Sequence, residues 1–183
     1  MLFRSELRLG SVSADLVHCS PVPVLLAGPA LGHAGAAVQR VVACLDGSER
    51  AHRAVDAAAD LAPRLGADLV LLRVFGDADV VDRAELDDLL ATAARVPGAR
   101  QLAILHGRDA AAVIADYAGD RGDTILALGT RGRTALGRAV LGSVARRTTQ
   151  LSACPVLAVP PAAGRQPVDA RAPALTLTGR EGR

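Results

Sequence analysis

Thr124-Ile125-Leu126-Ala127-Leu128 runs directly into Gly129-Thr130-Arg131-Gly132, and after nine further residues the chain reaches Gly142-Ser143. A short apolar run that ends in glycine reads as a buried strand opening into a loop. Glycine lets a backbone turn sharply and approach a ligand closely. Gly142-Ser143 opens a segment with helical spacing at Val144, Thr148 and Leu151. The first N–H groups of a helix lack partners within it and carry the positive end of its dipole, which suits a phosphate. The stretch therefore predicts a phosphate held between a strand-end loop and a helix start.

Around this stretch, strand and helix patterns alternate from Val38 onward, which argues for a parallel sheet with crossover helices. Val41 to Leu45 reads as the first strand of the unit. Ser48 is placed to cap a helix with apolar positions at Ala51, Ala54, Val55, Ala58, Leu61 and Leu65, and Gly66 to end it. Pro63 conflicts with this pattern and predicts a kink in the last turn. Leu69 to Phe75 reads as a strand, Asp79 to Val96 as a helix, and Ala99 to Leu105 as an edge strand bearing Arg100 and Gln101. Asp109 caps a helix with Val113, Ile114 and Tyr117, and Pro155 to Val159 is the last strand. The expected fold is α/β: an open parallel five-stranded sheet with helices on both faces. Residues 161–183 hold Pro, Gly, Arg and Ala without a sustained pattern and read as a disordered tail.

Composition narrows the function. The net charge of +2 makes no case for nucleic acid or a membrane surface as partner. All 21 basic residues are arginine, which excludes a P-loop lysine and any Schiff-base lysine. Cys19, Cys44 and Cys154 are odd in number, form no C-x-x-C, and read as reduced, mostly buried thiols of a cytoplasmic protein. His18, His33, His52 and His106 show no metal-ligand spacing. Arg4, Glu6 and Arg8 interrupt any signal-peptide pattern at the start. Half of the residues are hydrophobic but only 2% are aromatic, so the core is built from Ala, Val and Leu.

The front of the chain repeats its end. Leu9-Gly10-Ser11-Val12 matches Leu141-Gly142-Ser143-Val144, and Pro23-Val24-Leu25 matches Pro155-Val156-Leu157 at the same offset. Residues 1–29 therefore read as the last helix and last strand of a preceding copy of the same domain, followed by a linker over 30–37 and the complete domain over 38–160. The glycine frame of that earlier copy would lie upstream of Met1, so the remnant is not expected to hold a ligand. Val22 to Ala27 is expected to form a strand beside Pro155 to Val159.

The glycine frame, G-x-x-G followed by nine residues and G-[S/T], resembles the nucleotide loop of the universal stress protein family in its ATP-binding branch. Val41-Val42-Ala43-Cys44-Leu45-Asp46-Gly47-Ser48 looks like that family's first strand and terminal aspartate. Leu69 to Val74 resembles its second strand, and Cys154 to Val159 its last. The resemblance implies a Rossmann-like site at the switch point of the sheet. It implies a nucleotide-binding set of Cys44, Leu45, Asp46, Val74, Leu128, Gly129, Arg131, Gly132, Gly142, Ser143 and Val144. In this set Asp46 would meet the ribose, Val74 the adenine, and the glycine frame the phosphates. The pair Cys44-Leu45 departs from the small or polar pair usual in ATP binders. By its position alone, Asp46 reads either as a ribose acceptor or as the start of a turn with Gly47.

No nucleophile–base pair is placed by spacing, and no acidic cluster suggests a dedicated Mg²⁺ cage, although bound phosphates would recruit Mg²⁺ themselves. The expected function is an ATP-binding stress and regulatory module without catalytic residues or a metal site. The alternatives are a slow ATP hydrolase using Ser143 and the arginines, and a scaffold with a vestigial site. The resemblance also implies a homodimer, or a pseudo-dimer within one chain, through Pro155 to Val159.

Overall fold

A computed structural model describes residues 16–17, 19–31, 37–77, 79, 81–119, 123–130 and 141–160. The strands are β1 (Val24–Leu26), β2 (Arg40–Leu45), β3 (Asp68–Phe75), β4 (Ala99–His106), β5 (Thr124–Gly129) and β6 (Val156–Val159). The helices are α1 (Glu49–Leu65), α2 (Arg83–Arg95), α3 (Ala110–Ala118) and α4 (Ser143–Leu151). The segment expected to be a disordered tail, 161–183, and the repeat partner Leu9 to Val12 lie outside the described residues.

The sheet order is β1-β6-β5-β2-β3-β4. Five strands are parallel, as expected, and the strand expected within Val22 to Ala27 makes a sixth in the sheet. β1 adds to its edge, antiparallel to β6, with Leu25 opposite Leu157. From β2 the chain winds outward through β3 to β4, then returns to place β5 on the other side of β2 and winds outward to β6. The switch point therefore lies between β2 and β5.

Alternation along the strands divides the core in two. Val41, Ala43, Leu69, Leu71, Ile125 and Ala127 face α1 and α2, where Ala51, Ala54, Val55, Ala58 and Leu89 cover them. Val42, Val70, Leu72, Leu126, Leu128 and Val156 face α3 and α4, where Ile114, Ala118 and Ala145 cover them. Strands buried on both faces need apolar residues at consecutive positions, which is why the runs read as continuous rather than alternating.

α1 ends where expected, and the start of α2 differs from expectation. α1 continues through Pro63 to Leu65, and its end is set by Gly66, whose φ of +64° suits a residue without Cβ. α2 begins at Arg83 rather than Asp79, because the Asp79 carboxylate accepts from the Gly76 N–H at 2.7 Å and closes a turn of its own. Asp82 then caps α2 by accepting from the Glu85 N–H. Cys19 is exposed, whereas Cys154 is buried as expected.

Leu126 lies at the centre of β5 and is fully buried. Leu126→Ala should lower the free energy of unfolding by roughly 2–5 kcal/mol, read from urea denaturation, because the surrounding strands cannot collapse onto the cavity.

Candidate functional site

The ladder between β2 and β5 ends at the pair Ala43–Ala127. Beyond it, β2 follows β3 as far as Leu45–Arg73, and β5 follows β6 as far as Gly129–Val159. The two strands part, and a cavity of about 190 Å³ opens between their carboxyl ends. This is the place where an open α/β sheet takes its ligands.

Nine of the eleven residues expected at the site line this one cavity: Cys44, Leu45 and Asp46 from β2 and its end, Val74 from β3, Leu128 and Gly129 from β5, and Gly142, Ser143 and Val144 at the start of α4. Arg131 and Gly132 lie outside the described residues.

Gly142 is the N-cap of α4 and makes no side-chain capping bond. In contrast, α1, α2 and α3 are capped by the side chains of Ser48, Asp82 and Asp109. The first helical bond of α4 runs from the Arg146 N–H to the Gly142 carbonyl. The N–H groups of Ser143, Val144 and Ala145 therefore have no partner within the helix, and all three residues line the cavity. Of the two reasons expected for glycine, a sharp turn and a close approach, the backbone conformation leaves only the second. Gly142 has φ −54°, which any residue adopts, and neither it nor Gly129 is among the positive-φ glycines. What glycine contributes is the absence of a side chain at the cavity wall.

Across the cavity, both readings of Asp46 hold at once. Its Oδ1 accepts from the Ser48 N–H at 2.9 Å, and Gly47 follows with φ +75°. One oxygen is thus committed to the turn that leads into α1. Among the described residues, Oδ2 has no hydrogen-bond partner. Cys44 lies beside it, and burial pushes its thiol up to about 12, so the sulfur stays protonated at neutral pH. It serves as an apolar wall there, not as a nucleophile.

The structure adds Ala51, Arg73, Ala110, Ile114 and Ala145 to the lining. Arg73 is the informative one, because it is a buried charge within an apolar strand. Its Nη1 donates to the Leu45 carbonyl at 3.4 Å and its Nη2 to Glu85 Oε1 at 3.2 Å. The guanidinium also lies over the Phe75 ring, 4.5 Å from its centroid. It brings a fixed positive charge to the floor of the site. The single arginine in Leu69-Val70-Leu71-Leu72-Arg73-Val74-Phe75 was the only sequence signal for it.

The far wall is fastened by one ion pair. Asp109, the cap of α3, accepts from Arg147 of α4, with Nη2 2.7 Å and Nε 2.8 Å from Oδ2. Among the described residues, no group of three or more His, Cys, Asp or Glu side chains is placed to hold a metal ion. No described helix is long and apolar enough to cross a membrane.

A doubly wound sheet with a cavity at its switch point defines a Rossmann-like α/β domain. A sequence model of the universal stress protein family matches residues 37–160, and the chain belongs to that family. It is 28% identical over 144 residues to universal stress protein YxiE of Bacillus subtilis, covering 66% of this chain and 97% of that one. A universal stress protein solved in complex with cAMP is 25% identical, with a TM-score of 0.52, over 68% of this chain and 98% of its own. The universal stress protein of Archaeoglobus fulgidus solved with dAMP is similar in fold, at 22% identity and a TM-score of 0.50, over 67% and 97% of the two chains.

The Arg147 hydrogen bonds hold the Asp109 carboxyl below its ordinary value. A carboxylate whose pKa is lowered by folding contributes stability above its unfolded pKa of about 3.9, and loses it as pH falls through the folded value. Arg147→Gln should therefore have a lower urea midpoint than the parent at pH 7. The gap should narrow as the pH falls from about 4, the unfolded value, through the lowered folded value of Asp109.

Proposed function

We propose that this protein is an adenine-nucleotide-binding regulatory module, with ATP as its ligand. The observation that carries the reading is the uncapped start of α4 facing Asp46 across one cavity. Three backbone N–H groups without a partner in the helix offer a seat for phosphate oxygens. The Asp46 carboxylate, whose Oδ2 has no partner among the described residues, offers an acceptor for ribose hydroxyls, and charge-assisted bonds of this kind are worth about 1.5–3 kcal/mol each. Val74, Leu128 and Ile114 supply apolar surface for a base. The two relatives named with cAMP and dAMP support the adenine nucleotide class. In the expected glycine frame, Arg131 and Gly132 complete the phosphate loop, and Mg²⁺ would be held by the phosphates, because the described residues offer no cage of their own.

Signalling through conformation or partners fits this site better than turnover. Among the described residues lining the cavity, Asp46 has one oxygen committed to its turn, and Cys44 is held as a thiol. We also read residues 1–29 as the end of a preceding copy of the domain, which the repeat at Pro23-Val24-Leu25 and the seat of β1 beside β6 support. The place of action that fits this reading is the cytoplasm.

Calorimetric titration with ATP tests the assignment. Asp46→Ala should weaken binding by about tenfold or more, equivalent to ~1.4 kcal/mol. Unchanged affinity in the folded variant would remove Asp46 from the site. Gly142→Val should abolish binding while circular dichroism remains that of the parent, because a β-branched side chain would fill the space over the α4 N–H groups. Turnover by the purified protein should stay far below ~10 s⁻¹, a typical enzyme rate. Sustained turnover at that rate would favour a hydrolase instead.

A further inference from the structure

Arg73 is out of place in its strand. Leu69-Val70-Leu71-Leu72-Arg73-Val74-Phe75 is otherwise apolar, and the arginine is only 8% exposed. By strand alternation it shares the α1 and α2 face of the sheet with Leu71 and Phe75, and it also lines the cavity. Stability does not account for the charge. The side chain of its carboxylate partner, Glu85, is 43% exposed, and the bond to the Leu45 carbonyl is long at 3.4 Å. Arg73 Nε is buried without a partner among the described residues. A buried guanidinium held this incompletely costs stability that an apolar side chain of similar length would not.

What the guanidinium holds is the step that leads to Asp46. The β2–β5 ladder ends at Ala43, so Cys44 and Leu45 are paired on the β3 side alone. Arg73 stands opposite Leu45 at the end of that pairing, and its own side chain reaches back to the Leu45 carbonyl. Asp46 is the next residue, and its Oδ1 is tied to the Ser48 N–H. The carboxylate is thus fixed from one side by Arg73 and from the other by the turn. The second hand of the guanidinium is on α2. Nη2 donates to Glu85 in the first turn of that helix, where Leu89 alone is buried. A helix with so little buried surface opens more readily than the core strands, and the Arg73–Glu85 pair ties its start to the sheet.

We infer that Arg73 is a positioning residue: it sets Asp46 for a ligand and, through Glu85, couples the cavity to the start of α2. The inference rests on the nucleotide reading of the cavity. The coupling is reciprocal. If the Glu85 contact helps a ligand to bind, the bound ligand tightens the start of α2 by the same factor.

Glu85→Ala gives the test a sign. Glu85 does not line the cavity, and loss of a negative charge near it would by itself favour a polyanion. Positioning through Arg73 predicts the opposite. In calorimetric titration with ATP, Glu85→Ala and Arg73→Met should each weaken binding by about fivefold or more. Adding Asp46→Ala to Arg73→Met should cost less affinity than Asp46→Ala costs alone, because Arg73 acts through Asp46. Amide exchange at residues 86–89 should slow at saturating ATP in the parent and stay unchanged in Arg73→Met. Unchanged or tighter binding by Glu85→Ala overturns the inference. So do additive losses for Arg73→Met and Asp46→Ala, and α2 exchange that ignores ATP in the parent. Arg73→Met should keep the circular dichroism of the parent; its loss of fold would make the arginine structural and overturn the inference as well. A parent that binds no ATP removes the nucleotide reading and this inference with it, whereas a parent that binds and variants that bind equally remove the inference alone.

Discussion

The short parallel ladder between β2 and β5 is the constraint on which the rest of this molecule depends. It joins Arg40–Ala43 to Thr124–Ala127, residues far apart in the chain, and it is the seam between two halves that wind in opposite directions. Its lower end is secured by polar contacts: Arg40 Nη2 donates to Thr124 Oγ1 at 3.0 Å, and the Gln39 N–H donates to the Asp123 carbonyl at 2.7 Å. Its upper end is unfastened. Because the bottom is held and each strand continues with its own neighbour, the top must open. The cavity is therefore a result of topology before it is a result of side chains.

Small residues let the helices approach this seam. Ala51, Ala54 and Ala58 of α1 and Ala145 of α4 are nearly or fully buried against the strands. Alanine loses no side-chain entropy on burial and keeps a helix close to the sheet. With almost no aromatics, the core stays thin, and the starts of α1 and α4 sit close to the strand ends. That proximity brings the Asp46 turn and the α4 N–H groups to one cavity.

Much of this was legible in the sequence, for physical reasons. Buried parallel strands appear as apolar runs, and Ser48, Asp109 and Gly66 mark helix ends by local hydrogen bonds or backbone conformation. The glycine frame marks the site because side chains are excluded there. Other features depend on contacts distant in sequence. Arg73 in an apolar strand does not reveal that its partners are the Leu45 carbonyl and Glu85. The start of α2 depends on whether Asp79 or Asp82 acts as the cap, and the Gly76–Asp79 turn decides it. The sixth strand could be expected from the repeat, but the facing of Leu25 and Leu157 is a property of the assembled sheet.

The three cysteines differ in a way that matters for handling the protein. Burial pushes the Cys44 thiol up to about 12, so it stays protonated at neutral pH, and Cys154 is sealed in the interior. Cys19 alone is exposed, a few residues ahead of β1. Maleimide chemistry under mild conditions should therefore go to one position without any engineering. A fluorophore attached there would sit a few residues ahead of the antiparallel strand, so the native chain already carries an attachment point for following that edge.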